Sequence, residues 1–132
     1  MSDAAIRYLV AIYELGQGSA VQSVKVAARL GISRASVSKM LGQLSAQGLA
    51  QKEYYGCIHL TPEGLRESRQ LYQELKKIEC FFSQVLKSSA ENARSDALSC
   101  LCSLSLESRR SMARLASGSS APAPGTDVPL RP

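Results

Sequence analysis

One histidine in 132 residues, no CxxC pair among four cysteines, and no apolar run near the roughly 18 residues of a membrane span: these shortages narrow the field first. A single histidine, His59, offers little for acid–base chemistry. No Ser/His/Asp arrangement, glycine-rich phosphate loop or paired-carboxylate motif compensates, so the chain is not expected to be an enzyme. Cys57, Cys80, Cys100 and Cys102 share no repeated spacing, which argues against a zinc finger or a disulfide framework and for reduced thiols. With no basic stretch leading into an apolar signal core and no membrane-spanning segment, the expected location is the cytoplasm, with no membrane partner.

The charge that is present is unevenly placed. Residues 1–60 carry six Lys/Arg against three Asp/Glu, whereas residues 61–132 carry ten against eight, within a net charge of +5. The excess in the first half suits a surface that faces phosphates. That half also holds the most informative segment, Val26 to Met40, which reads VAARLGISRASVSKM. It has the grammar of a helix-turn-helix: Ala27 is small where a second helix crosses, Gly31 ends the first helix, and Val37 wedges the second against it.

Hydrophobic periodicity supplies the remaining elements. Ile6, Leu9, Val10 and Tyr13 predict a helix over Ala4–Leu15, stopped by Gly16-Gln17-Gly18. Ser23 is expected to cap a short helix through Leu30, and Ser33 a third that starts at Arg34 and ends near Gln47, before Gly48. In that third helix Val37, Met40, Leu41 and Leu44 form one stripe, which turns Ser36, Ser38, Lys39 and Gln43 outward. Leu49–Glu53 and Cys57–Leu60, flanking Tyr54-Tyr55-Gly56, predict a β-hairpin, and a helix-turn-helix followed by a hairpin is a winged helix.

Thr61-Pro62 starts a further helix, in which Gly64 reads as tolerable, and Leu65, Tyr72, Leu75, Ile78, Phe82 and Val85 carry it to about Lys87. Ser88-Ser89 breaks it. Ala90–Leu104 resumes with Ala93, Ala97, Cys100, Leu101 and Leu104 on one arc, and with Leu98 and Cys102 outside it. Apolar residues on more than one side predict a dimer interface here, with Leu98 and Leu101 as its contacts. Ser105 caps a last helix, Leu106–Ala116. The expected organisation is mostly α: a winged-helix domain over residues 1–61, a connector and helical dimerisation domain over 62–116, and a flexible Ser/Ala/Pro/Gly tail over 117–132.

Four segments, YLVAIYEL from Tyr8, SVSKM from Ser36, QGL from Gln47 and LTPEG from Leu60, stand in an order that resembles the diphtheria-toxin-repressor and manganese-transport-regulator family over about residues 3–115. The resemblance implies a winged helix followed by a helical dimerisation domain. It also implies a homodimeric repressor that binds a palindromic operator in double-stranded DNA when loaded with iron or manganese.

At the positions the resemblance gives to metal ligands, the sequence departs from the family. Arg7 and Val10 stand where carboxylates are implied, and Leu75 where a histidine is; Leu98, Leu101 and Cys102 occupy the implied ligand positions of the next helix. Glu79 still matches an implied carboxylate, so Glu79, Cys80 and Cys102 remain the metal candidates. Cys100 reads as a core residue, about 200° from Cys102 around the helix. Arg7 is expected to pair with Glu79 in place of the missing ion.

The sequence therefore predicts a DNA-binding regulator. Ser33, Arg34, Ala35, Ser36, Ser38 and Lys39 are expected in the major groove, and Lys52, Tyr54 and Tyr55 of the wing on the backbone or minor groove. Two alternatives stand beside it: metal-independent or thiol-responsive control of the same scaffold, and a winged helix used only to bind protein.

Overall fold

The computed structural model describes residues 1–116, so the tail expected over 117–132 lies outside the described residues. Helix α1 (Asp3–Gly16) begins where the Ser2 hydroxyl accepts a hydrogen bond from the Ala5 amide at 3.1 Å, and ends at Gln17, whose left-handed backbone (φ 50°) turns its N–H onto the Tyr13 carbonyl. Its apolar residues divide between two directions. Ala5, Tyr8, Leu9 and Ile12 enter one buried cluster, while Ile6 and Val10 enter another.

The first cluster is the core of the winged helix. Helices α2 (Ser23–Leu30) and α3 (Arg34–Ala46) meet through Val26, Ala27 and Val37, with Leu41 and Leu44 continuing the buried stripe of α3. Gly31 (φ 67°) takes the left-handed conformation that separates the two helices, as the motif requires. One expected cap is displaced. The backbone of Gln22, not Ser23, precedes the first turn of α2, and no side chain bonds to that helix start.

Three short strands, β1 (Val21–Gln22), β2 (Ala50–Lys52) and β3 (Cys57–Leu60), form an antiparallel sheet in the order β1-β3-β2. Val21 pairs with Ile58, and Gln51 with His59. The hairpin is the wing the sequence predicts; β1, only two residues long, has no period to reveal it. At the hairpin turn both Tyr55 (φ 63°) and Gly56 (φ 74°) are left-handed, a conformation expected only of the glycine.

Helix α4 (Pro62–Cys80) is fastened to the wing at its start. The Thr61 hydroxyl caps it, accepting from the Gly64 amide at 3.0 Å, and donates to the Gly48 carbonyl at 2.6 Å. The first turn nests so closely on the preceding loop that a Cβ at Gly64 would lie 1.8 Å from the Leu49 carbonyl oxygen. Gly64 is thus a requirement of the packing, not a tolerated residue.

A π-helical turn (Phe81–Val85) extends α4, and Lys87 (φ 58°) reverses the chain into α5 (Ala90–Ser103), capped by Ser89. Ser105 caps α6 (Leu106–Ala116) through the Ser108 amide. The second cluster gathers Ile6 and Val10 of α1, Leu75 and Ile78 of α4, and Ala97 and Leu101 of α5. Arg109 of α6 secures the α5–α6 corner by donating to the Leu101 carbonyl at 2.7 Å and lying 3.0 Å from Glu74.

Gly64→Ala is expected to lower unfolding free energy by about 1–3 kcal/mol, because the added methyl meets backbone that cannot rotate away. Urea denaturation checks this; a variant as stable as the parent would mean that α4 can shift off Leu49 without cost.

Candidate nucleic-acid interface

Burying Val37, Leu41 and Leu44 leaves the opposite face of α3 open. Arg34, Ala35, Ser36, Ser38, Lys39 and Gln43 are all exposed. Ser33 is also exposed, but its hydroxyl caps the helix, accepting from the Ser36 amide at 3.1 Å and donating to the Ser36 hydroxyl at 3.0 Å. It fixes where α3 begins. The surface therefore presents two cations, Arg34 and Lys39, among short side chains that would let the helix backbone approach a groove closely.

The wing continues this surface. Lys52 is exposed, and Tyr55 at the turn is 100% exposed. A crevice of about 240 Å³ runs between the start of α2, the first residue of α3 and the wing turn, lined by Gln22, Ser23, Arg34, Tyr55 and Gly56. The start of α3 and the wing turn thus adjoin on one face. Tyr54 lies in the same turn.

The positions the resemblance assigns to a metal do come together, but as an apolar cluster. Val10 is 1%, Leu75 0% and Leu101 1% exposed, all within the second cluster, so hydrocarbon stands at these three positions and only the soft thiols of Cys100 and Cys102 pack at its edge. Among the described residues no three His, Cys, Asp or Glu side chains gather as a metal site. The residues present do not fit manganese or iron.

The three metal candidates are dispersed. Cys80 faces the Ala116 carbonyl at 3.9 Å, Cys102 faces the Asp3 carbonyl at 3.8 Å, and Glu79 pairs with Lys76 at 2.9 Å. The expected Arg7–Glu79 pair is not among the ion pairs of the described residues; Glu79 pairs instead with Lys76, one turn earlier on the same helix. Arg7 lies instead near Cys102, where its charge partly opposes the rise that burial imposes on that thiol's pKa. Burial likewise raises Cys100, which is half-buried against the second cluster. The expectation of Leu101 as a dimer contact is corrected, because it is buried in the core of this same chain, whereas Leu98 is half-buried and still reaches the surface.

One charged cluster escapes sequence reasoning entirely. Glu14 of α1 receives two hydrogen bonds from Arg94 of α5, at 2.5 and 2.6 Å, and one from Arg29 of α2 at 3.0 Å. Glu14 is only 13% exposed, and its hydrogen bonds, with the nearby Glu79 and Tyr72, raise the pKa of Arg94 still further. Partners 80 residues apart in the chain give no local pattern to read.

The fold and its exposed basic helix define a winged helix-turn-helix protein with an appended helical unit. A family model described as "Iron dependent repressor, N-terminal DNA binding domain" matches residues 1–58. Transcriptional regulator MntR of Salmonella typhimurium is 39% identical over 89 residues, which cover 65% of this chain and 52% of that protein. MntR of Escherichia coli O157:H7 is 38% identical over 89 residues, covering 65% and 53%. The chain spans about half the length of the curated relatives it matches.

Among solved structures, the metal-dependent transcriptional regulator MtsR matches with a TM-score of 0.75 at 22% identity, covering 89% of this chain and 55% of that one. T. acidophilum IdeR gives 0.72 at 22%, covering 86% and 53%; at that identity both likenesses speak to fold alone. Over these residues the chain is similar to the iron-dependent-repressor DNA-binding domain and to MntR, both of which carry the names of transcriptional regulators.

Raised pKa values mean less thiolate at neutral pH, so Cys100 and Cys102 are expected to react with iodoacetamide at pH 7.5 more slowly than a cysteine in an unfolded peptide. Rates at each site, read by mass spectrometry, decide this. Faster-than-peptide alkylation at Cys102 would favour thiol-responsive control.

Proposed function

We propose that this chain is a cytoplasmic, sequence-specific transcriptional regulator, acting as a repressor through a two-fold dimer on a palindromic operator, and that it binds DNA without manganese or iron. The observation that carries DNA binding is the open face of α3, where Arg34 and Lys39 stand among small side chains and adjoin the wing. Either cation is long enough to meet guanine in the major groove; Ser36 and Ser38 can bond to base or phosphate, and Ala35 can meet a thymine methyl. Lys52 and Tyr55 suit the backbone beside the groove, contacts that set register more than sequence.

A winged helix that binds only protein would be expected to offer larger apolar groups on this face. Independence from metal is favoured by a specific observation, the apolar closure of Val10, Leu75 and Leu101. Thiol control is disfavoured by the rise in the Cys100 and Cys102 pKa values, which lowers their thiolate fraction.

The test is operator selection from a random duplex pool with the reduced, full chain. Arg34→Ala and Lys39→Ala are each expected to weaken the selected operator by about 1–3 kcal/mol with the fold intact, and EDTA, Mn²⁺ and Fe²⁺ to leave the parent's affinity unchanged. Unaltered binding in both variants would remove α3 as the reading surface. A clear gain with Mn²⁺ or Fe²⁺ would restore metal activation.

Assembly has its own check. Leu98, together with the exposed Leu104 and Leu106 at the α5–α6 corner, supplies the apolar surface that a partner protomer would cover. Leu98→Glu and Leu106→Glu are expected to shift sedimentation from dimer to monomer while far-UV circular dichroism is retained. A parent that sediments as a monomer at micromolar concentration would refute the dimer.

A further inference from the structure

We infer that Arg94 is a positioning residue for DNA binding: its guanidinium, through Glu14 and Arg29, sets how the helical unit holds the recognition helix. The inference rests on the DNA-binding reading of α3. Glu14 sits in the last turn of α1, with its carboxylate between two cations from different parts of the fold. Arg29 is in the last turn of α2, two residues before the Gly31 turn that launches α3. Arg94 is in the second turn of α5, within the helices expected to form the dimer. A polar chain therefore runs from α5 through α1 and α2 to the turn of the helix-turn-helix.

Its geometry is that of a fixed strut. The two hydrogen bonds from Arg94 to the two Glu14 oxygens define a plane as well as a distance, unlike a point charge. The carboxylate is mostly shielded from water, while Arg94 is 31% and Arg29 42% exposed, so the pairing is screened less than a fully surface pair. Beside it, Tyr13 of α1 packs on Tyr72 of α4, with ring centroids 5.2 Å apart. The apolar second cluster holds α1, α4 and α5 together but is non-directional; the charged contact also engages α2.

In a two-fold dimer the separation of the two recognition helices, ideally one turn of DNA, depends on the angle between the helical unit and α3. Arg94→Met keeps the aliphatic length and removes the strut. It is expected to weaken binding to the selected full operator at least tenfold, to leave binding to an isolated half-site within twofold, and to flatten the preference for cognate half-site spacing over spacings one base pair longer or shorter. Arg94→Lys, which keeps the charge but not the two-point geometry, is expected to fall between. Because each reader would keep its own surface, a purely structural role for Arg94 predicts something else, an equal loss on half-site and full site with a lowered melting temperature. That outcome, or unchanged spacing preference in Arg94→Met, would overturn the inference. If the parent selects no operator, the DNA-binding reading itself falls, and this one with it.

Discussion

Everything in this molecule turns on one helix that is apolar in two directions. Leu9 and Ile12 of α1 are buried against α2, α3 and the sheet, while Ile6 and Val10 are buried against α4 and α5. Burying such side chains contributes about 1.5–3 kcal/mol each, so neither unit can release α1 without losing a substantial share of its core. The winged helix and the helical unit are thus joined by shared hydrocarbon, and α1 is the common wall between them.

That wall changes the meaning of the positions where the family resemblance implies a metal. A coordinated ion is a reversible joint: it leaves when ligands protonate or supply falls, and its departure can be read as a signal. Val10, Leu75 and Leu101 make a joint of another kind, tightly buried and with no titratable or metal-ligating atom in the three side chains. Directional contact between α1, α2 and α5 comes from Glu14 and its two arginines.

Much of the fold was legible because its signals are local. The Gly31 turn, the Ser33 and Thr61 caps and the stripe Val37, Leu41, Leu44 each lie within a few residues of what they determine, and all stand where the sequence places them. What escaped is long-range or depends on close contact. Strand β1 exists only because β3 pairs with it; Gly64 matters only because the Leu49 carbonyl sits above it; Arg94 finds Glu14 only once α5 has packed on α1. Leu101 shows the same limit, since periodicity identifies an apolar face but not whether its partner is the same chain or another copy.

The attachment of α4 to the wing has a mechanical corollary. Thr61 bonds to Gly48 through its hydroxyl and to the Leu49 carbonyl through its amide, and the first turn of the helix rests on that same carbonyl. Strand β2 begins at the very next residue. There is no slack between the strand and the long helix, so a tilt of α4 must swing the hairpin with it, as a rudder follows its post. The joint leaves little loop between the two in which a displacement of either could be absorbed.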